Sequence, residues 1–294
     1  MILSFIESTD KYRYAFAFDK SMKRKNKEVY SVHSDGILNA SLKKFERIEN
    51  AFEINFNVEE YNLQGVKEPI VFNPTKWIFD IDHNISYVRA KENLQTIWEK
   101  YKNKNRTQRN QAQLLACERL FFHVPNGFEN SGFSNGPYLS FFVNYYNKDL
   151  SLDDLYIHNL DWLSIPSNLP LKITYRPKQI NESKVKMEGW VTLNEEMLDF
   201  LLTKPEFRDR AMDYHFTKDF KINSTIDLII DIKTAFMQSY EFHLEIDGTN
   251  GGLYESMKYK IVRKSSISKS LETDDTNIIV EEKSVPTRRW IILD

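Results

Sequence analysis

Two aspartates occupy alternate positions in the run KWIFDIDHN, residues 76–84, at Asp80 and Asp82. Residues two apart in a β-strand lie on the same face, so both carboxylates could bind one Mg²⁺ or Mn²⁺ ion. Enzymes that transfer nucleotides use such carboxylates because two metal ions stabilise the attacking and the leaving oxygen. The simpler interpretation, which we prefer, is a strand whose solvated face carries Ile78, Asp80, Asp82 and Asn84.

Further ligands for such a metal ion would come from His123 in LFFHV or from Asp231 in LIIDIK. An acidic pair on a strand, then a histidine, then a third acid is similar to the pattern of the archaeo-eukaryotic primase family. That resemblance implies metal-dependent nucleotidyl transfer. The chain departs from the pattern at Phe121, where the family has a small residue two positions before the histidine, and nothing outside these few positions matches.

Asp231 also forms a D-x-K pair with Lys233. The pair resembles the core of the PD-(D/E)xK nucleases, which implies that the acid binds a metal ion and that the lysine stabilises charge. The upstream acid would then be Asp213 or Asp219. A pair of opposite charges at the end of a strand explains the same residues without catalysis, so both interpretations stay open.

Other catalytic motifs are incomplete or missing. FDIDHN lacks the Gly-Thr of the haloacid-dehalogenase nucleophile motif, and LEIDGTNGG has Glu245 where that motif needs its aspartate. The six histidines form no H-x₃-H or HExxH pair, and the chain has neither a G-x-S-x-G elbow nor a Walker loop. We therefore expect no cofactor, and a Mg²⁺ or Mn²⁺ ion only if the protein is an enzyme.

Two segments, 19–28 and 100–109, are rich in lysine and arginine. If they converge, they could bind a nucleic-acid backbone through its phosphates. The 40 Lys and Arg are outnumbered by 42 Asp and Glu, whereas nucleic-acid binders are usually basic overall. We therefore prefer a solvated hairpin tip and a solvated break in a helix. The candidate residues for backbone contact are Lys23, Arg24, Lys25, Lys102, Lys104, Arg106 and Arg109.

The composition limits the class of protein. The single cysteine, Cys117, excludes an internal disulfide and a cysteine-rich zinc site. The N-terminus does not resemble a signal peptide, and no apolar stretch reaches the roughly 18 residues that a membrane helix needs. We expect a cytoplasmic protein or a component of a particle assembled there. Aromatic residues make up 14% of the chain, which favours an aromatic-rich core and interface.

The apolar patterning predicts strands and helices in alternation. Strands are expected wherever apolar residues alternate with polar ones, as in YRYAFAFD, EVYSVH, FEINFNVEEY, LPLKITYR, KVKMEGWVTL, TIDLIIDIK, YEFHLEI and LYESMKYKIV. DGTNGG favours a hairpin between the last two strands. Helices are expected at 36–48, in the region 86–119 with a polar break, at 150–163, and after Asn194 and Pro205, which suit helix starts. The fold class predicted is α+β: β-rich mixed or antiparallel sheets with a few covering helices and no repeats.

The Gly-rich segment 126–137 divides the chain into two predicted lobes. The N-terminal lobe, 1–125, is β-rich and includes the helical region; the C-terminal lobe, 138–294, is α+β, and a single domain is the alternative. No set of three catalytic roles is complete. We therefore expect a non-catalytic structural or assembly protein that works through contacts with other protein subunits, such as a component of a viral or other multi-subunit particle. The alternative is a metal-dependent nuclease or nucleotidyl transferase that uses Asp80 and Asp82.

Overall fold

Eleven strands form one antiparallel sheet in the described part of the computed structural model of the protein. The structure describes residues 8–25, 27–65, 69–80, 85–89, 91–105, 107, 111–118, 122, 149–160, 170–203, 220–248 and 253–264. The strands are β1 (Ser8–Arg24), β2 (Lys27–Lys44), β3 (Ala51–Leu63), β4 (Thr75–Asp80), β5 (Ile85–Arg89), β6 (Tyr156–Leu160), β7 (Leu171–Ile180), β8 (Lys184–Leu193), β9 (Phe220–Asp231), β10 (Met237–Gly248) and β11 (Leu253–Arg263).

The order across the sheet is β5-β4-β3-β2-β1-β11-β10-β9-β8-β7-β6. Strands β1 to β5 therefore follow one another on one side, and β6 to β11 follow one another on the other. Within the described residues, the strands of the two runs are paired through β1 and β11, from Tyr14 opposite Arg263 to Arg24 opposite Leu253. We call this β1–β11 pairing the seam, because it joins the two halves of the chain into one sheet.

Alternating side chains explain why these segments form one sheet. Tyr14, Phe16 and Phe18 of β1 are at most 5% exposed, and the same period of two continues in the neighbouring strands. Their shared side is called the inner face. It holds most of the apolar core, including Leu38, Ala40, Leu42, Ile54, Phe56, Trp77, Phe79, Ile173, Tyr175, Val185, Met187, Ile226, Leu228, Ile230, Tyr240, Phe242, Leu244, Met257, Tyr259 and Ile261.

The prediction of an α+β fold with covering helices is wrong, since the described residues are mostly antiparallel strand. The clearest error is the helix predicted at 36–48, most of which belongs to β2. Leu38, Ala40 and Leu42 are buried with a period of two and pair with β1 on one side and β3 on the other. Their spacing fits a helix and a strand alike, and pairing with distant segments decides between the two. The helix predicted at 150–163 is replaced in part by β6.

Three helices lie among the described residues: α1 (Lys91–Asn105), α2 (Gln111–Glu118) and α3 (Glu195–Leu202). Leu94 and Trp98 of α1 are buried. The helical region predicted at 86–119 is wrong at its start, because residues 86–89 belong to β5. The side chain of Asn194 caps α3 by accepting a hydrogen bond from the backbone N–H of Met197 at 3.3 Å, which confirms the predicted helix start. None of these helices is long and apolar enough to cross a membrane.

The sheet contains strands from both predicted lobes, and the seam joins them directly. The Gly-rich segment 126–137 and the predicted helix after Pro205 lie outside the described residues. The division into two lobes therefore stays a prediction.

Candidate functional site

Asp80 lies at the end of β4, and its surroundings differ from the solvated strand face that we preferred. Asp80 is 7% exposed and Ile78 is 2% exposed. Both lie on the face opposite to Trp77 and Phe79, which are also buried. The interpretation of a solvated face is therefore wrong for Ile78 and Asp80, because β4 is covered on both sides. Asp82, the other half of the proposed metal pair, lies outside the described residues.

A second buried carboxylate, Glu53, belongs to the neighbouring strand β3 and lies on the same face of the sheet as Ile78 and Asp80. Glu53 is completely buried opposite Ile78, and it forms ion pairs with Lys43, at 3.2 Å, and with Arg89. Burial raises the pKa of Glu53, but hydrogen bonds from Arg89 and Lys43 outweigh that effect and lower the pKa below its usual value. These contacts keep the carboxylate charged and join β2, β3 and β5, which is a structural role.

Asp231, the acid of the proposed nuclease motif, forms a turn at the end of β9. One of its oxygens accepts backbone N–H groups from Lys233 and Thr234, at 2.9 and 3.2 Å. The other accepts a hydrogen bond from Arg263 on β11 at 2.7 Å. Burial raises the pKa of Asp231, yet the bonds from Arg263 and Gln238 lower it overall. Both carboxylate oxygens therefore have protein partners.

The sheet order separates the candidate metal ligands. Strands β4 and β9 are six positions apart, which is about 29 Å along the sheet at about 4.8 Å per strand. Within the described ranges, no group of three histidine, cysteine, aspartate or glutamate residues is arranged to hold a metal ion. His123 lies outside those ranges, as do Asp213 and Asp219. The metal site therefore stays a prediction that Asp231 and Lys233 do not support.

The two basic segments have different surroundings. Lys23, Arg24 and Lys25 are exposed at the tip of the β1–β2 hairpin, where Lys25 has a positive φ of 48°. Lys102 in α1 instead contacts the carboxylates of Glu99 and Glu118, at 2.7 and 2.8 Å. Lys102 therefore has much of its charge balanced within the protein, whereas the hairpin tip presents its cations to solvent. Lys104 belongs to the last turn of α1, and Arg106 and Arg109 lie outside the described residues.

A buried pair of charged residues crosses the seam, and the sequence did not lead us to it. Lys20 on β1 and Glu255 on β11 are 4% and 5% exposed, and both lie on the inner face. Lys20 is opposite Met257, so Glu255 is its diagonal neighbour across the seam. A small cavity lies beside the pair and is lined by Leu244, Ile246, Ser256 and Met257. Its volume of about 10 Å³ is roughly the space that one water molecule needs.

The surroundings of this pair disfavour both charges. Burial raises the pKa of Glu255, and the positive charge of Lys20 reverses that shift only in part. Burial likewise lowers the pKa of Lys20, against the opposing effect of Glu255. Among the described residues, neither carboxylate oxygen of Glu255 has a hydrogen-bond partner. A buried carboxyl group without a hydrogen-bond partner costs stability, so this pair is the most unusual titratable feature of the described core.

An exposed apolar surface lies just before and within β6. Leu152, Leu155 and Ile157 are 51%, 55% and 47% exposed. Tyr156, between them, turns inward and donates a hydrogen bond to the backbone oxygen of Asp149 at 3.1 Å. We call residues 152–157 the apolar patch. It includes Asp153 and Asp154, which are also exposed, so the surface is both apolar and acidic.

Comparisons with known proteins provide no identity for the chain. No protein family model matches it, and no curated protein matches it. Among solved structures, it is similar at 7% identity to a DUF1329 family protein from Desulfovibrio piger, over 88% of this chain and 89% of that one, with a TM-score of 0.16. An inactive mutant of CurK dehydratase is similar at 9% identity, over 87% and 75% of the two chains, with a TM-score of 0.11. Such low scores support no conclusion about fold or function.

Proposed function

We propose that the protein is a non-catalytic assembly protein, and that the apolar patch is one of the surfaces through which it contacts other protein chains. The observation that carries the proposal is the exposure of Leu152, Leu155 and Ile157, three large apolar side chains within six residues. Single exposed apolar residues are normal on a protein surface, whereas clusters of them mark interaction sites.

The size of the patch indicates what kind of contact it can make. Burying a whole leucine or isoleucine side chain contributes about 1.5–3 kcal/mol, so covering the exposed halves of three contributes about 3 kcal/mol. That is less than the cost of bringing two proteins together. The patch must therefore act together with further contacts, as happens between subunits of an assembly.

Sedimentation velocity over a range of protein concentrations tests this proposal. The variant Leu155→Ser/Ile157→Thr should weaken self-association at least tenfold, because it removes most of the apolar contact area. The matched control is Leu115→Ser/Phe200→Ser, which removes two side chains that are 53% and 55% exposed on α2 and α3. Equal association by the wild type and both variants would contradict the proposal.

The alternative function is a metal-dependent nucleic-acid enzyme that uses Asp80 and Asp82. It is tested by titrating the wild type and the variant Asp80→Asn/Asp82→Asn with Mn²⁺ in a calorimeter. Under our proposal, neither protein binds Mn²⁺ stoichiometrically. Stoichiometric binding by the wild type that the variant loses would favour the enzyme and would call for nuclease and polymerase assays.

A further inference from the structure

The apolar patch is acidic, and the surface with the opposite charge lies on the same chain. Asp153 and Asp154 lie between the exposed leucines Leu152 and Leu155 of the patch. The tip of the β1–β2 hairpin presents four exposed cations; we call it the basic tip, and it consists of Lys23, Arg24, Lys25 and Lys27. Each surface thus has an excess of one sign of charge, although the whole protein has a net charge of only −2.

These two surfaces are far apart along the sheet. The basic tip extends from β1, and the patch leads into β6, which is six positions away in the strand order. At about 4.8 Å per strand, this separation is about 29 Å along the sheet. Opposite charges at that distance are largely screened at physiological salt. The charges of one surface are therefore not balanced by those of the other.

We propose that the apolar patch of one copy of this protein binds the basic tip of a second copy. The inference rests on the proposed function, since it names the partner of the same patch. The aspartates of the patch would pair with the cations of the tip, and the exposed leucines would cover the aliphatic parts of the lysine and arginine side chains. Charge complementarity of this kind orients the partners and raises the rate of association.

Such a contact joins two different surfaces, so it is head-to-tail rather than two-fold symmetric. Head-to-tail contacts form a closed ring when the rotation between neighbours closes, and a filament when it does not. Each copy keeps one surface free until the ring closes or a further copy binds. This geometry suits a protein that builds a larger assembly.

The other occupant to consider for the basic tip is a nucleic-acid backbone. A nucleic acid would explain the cations of the tip, but it would leave the apolar and acidic patch without a role. A second copy explains both surfaces with one contact. The two occupants make different predictions for variants of the patch, which has no part in binding phosphates.

Exchange of charges between the two surfaces tests the inference. The variants Asp153→Lys/Asp154→Lys and Arg24→Glu/Lys25→Glu should each weaken self-association at least tenfold in sedimentation velocity at low salt. An equimolar mixture of the two should associate again, because the unchanged basic tip of the patch variant can bind the unchanged acidic patch of the tip variant, and the two exchanged surfaces are complementary as well. Wild-type association should also weaken as NaCl is raised from 50 to 500 mM.

Controls separate this inference from the proposed function. Glu46→Lys/Glu49→Lys makes the same change in net charge as the patch variant at two exposed positions elsewhere, and it should associate like the wild type. If the apolar variant Leu155→Ser/Ile157→Thr dissociates while both charge variants associate normally, the patch is a contact but its partner is not the tip. A failure of the mixture to associate also overturns the inference. The inference is also overturned if the tip variant no longer binds a labelled RNA oligonucleotide but still self-associates like the wild type.

Discussion

Replacement of the buried pair at the seam should stabilise the protein. In the variant Lys20→Met/Glu255→Met, two apolar side chains of similar length replace two titratable side chains that are 4% and 5% exposed. Their neighbours on the inner face include Leu244, Ile246 and Met257, so the new side chains have apolar partners. The adjoining cavity has room for about one water molecule. The total volume therefore changes little, and no large cavity is created.

The size of the effect follows from the surroundings of the two charges. Replacing a buried ion pair with apolar residues of similar volume is neutral or stabilising by about 1–4 kcal/mol. Since neither oxygen of Glu255 has a hydrogen-bond partner among the described residues, we expect a gain of about 2–4 kcal/mol. The single variants Lys20→Met and Glu255→Met should each be less stable than the double variant, because each keeps one polar side chain of the pair buried in the apolar core.

Urea unfolding at pH 7, followed by circular dichroism, measures these changes. The double variant should have a higher midpoint with an unchanged slope, and a melting temperature that is higher by about 2 °C per kcal/mol for a chain of this length. A double variant that is less stable than both single variants would refute the reasoning, since the pair would then stabilise the seam.

The pH dependence provides a second check on the same pair. Burial raises the pKa of Glu255 in the folded protein. At a pH between the unfolded and the folded pKa, the folded state therefore keeps a proton that the unfolded state has released. Stability due to this group is therefore lost as pH rises from the unfolded pKa to the folded one. The advantage of the double variant over the wild type should accordingly be larger at pH 7 than at pH 4.

Two further predictions concern the sheet. Gly36→Ala should destabilise the protein by about 2 kcal/mol, because an added Cβ would lie 2.1 Å from the backbone oxygen of Glu60; an unchanged urea midpoint would contradict the close approach. Arg263→Met should cost about 1–2 kcal/mol at pH 7. The stability that Arg263 provides is present above the unfolded pKa of Asp231 and is lost as pH falls through the lowered folded pKa. The difference in stability between the variant and the wild type should therefore shrink towards pH 2. A difference that stays constant with pH would refute the ion pair.

Local patterns predicted many of the strands but not the architecture. Period-two alternation in YRYAFAFD and in LYESMKYKIV predicted strands that are now β1 and β11. It could not show that these two strands pair, because the partners are at opposite ends of the chain. The same limit explains the error at 36–48, where the apolar spacing of Leu38 and Leu42 is compatible with a helix until the strands on both sides are known.

The candidate site shows a similar division. The pattern of β1 places Lys20 in line with Phe16 and Phe18 on the apolar side, and Glu255 has a similar position before Met257 and Tyr259. A charged residue in an apolar register is a signal that the sequence alone contains. That the two charges meet across the seam depends on the pairing of β1 with β11, which no local pattern contains. The motif around Asp231 was visible, but its bond to Arg263 was not.

Hydrogen–deuterium exchange at low and high protein concentration tests the central claim most directly. If the protein assembles through the apolar patch, amides at residues 149–160 should exchange more slowly at high concentration, while those of the inner strands stay unchanged. If the further inference also holds, residues 19–28 should slow in parallel. The sample must sediment as an oligomer at the higher protein concentration. If residues 149–160 then exchange at the same rate at both concentrations, the account is contradicted.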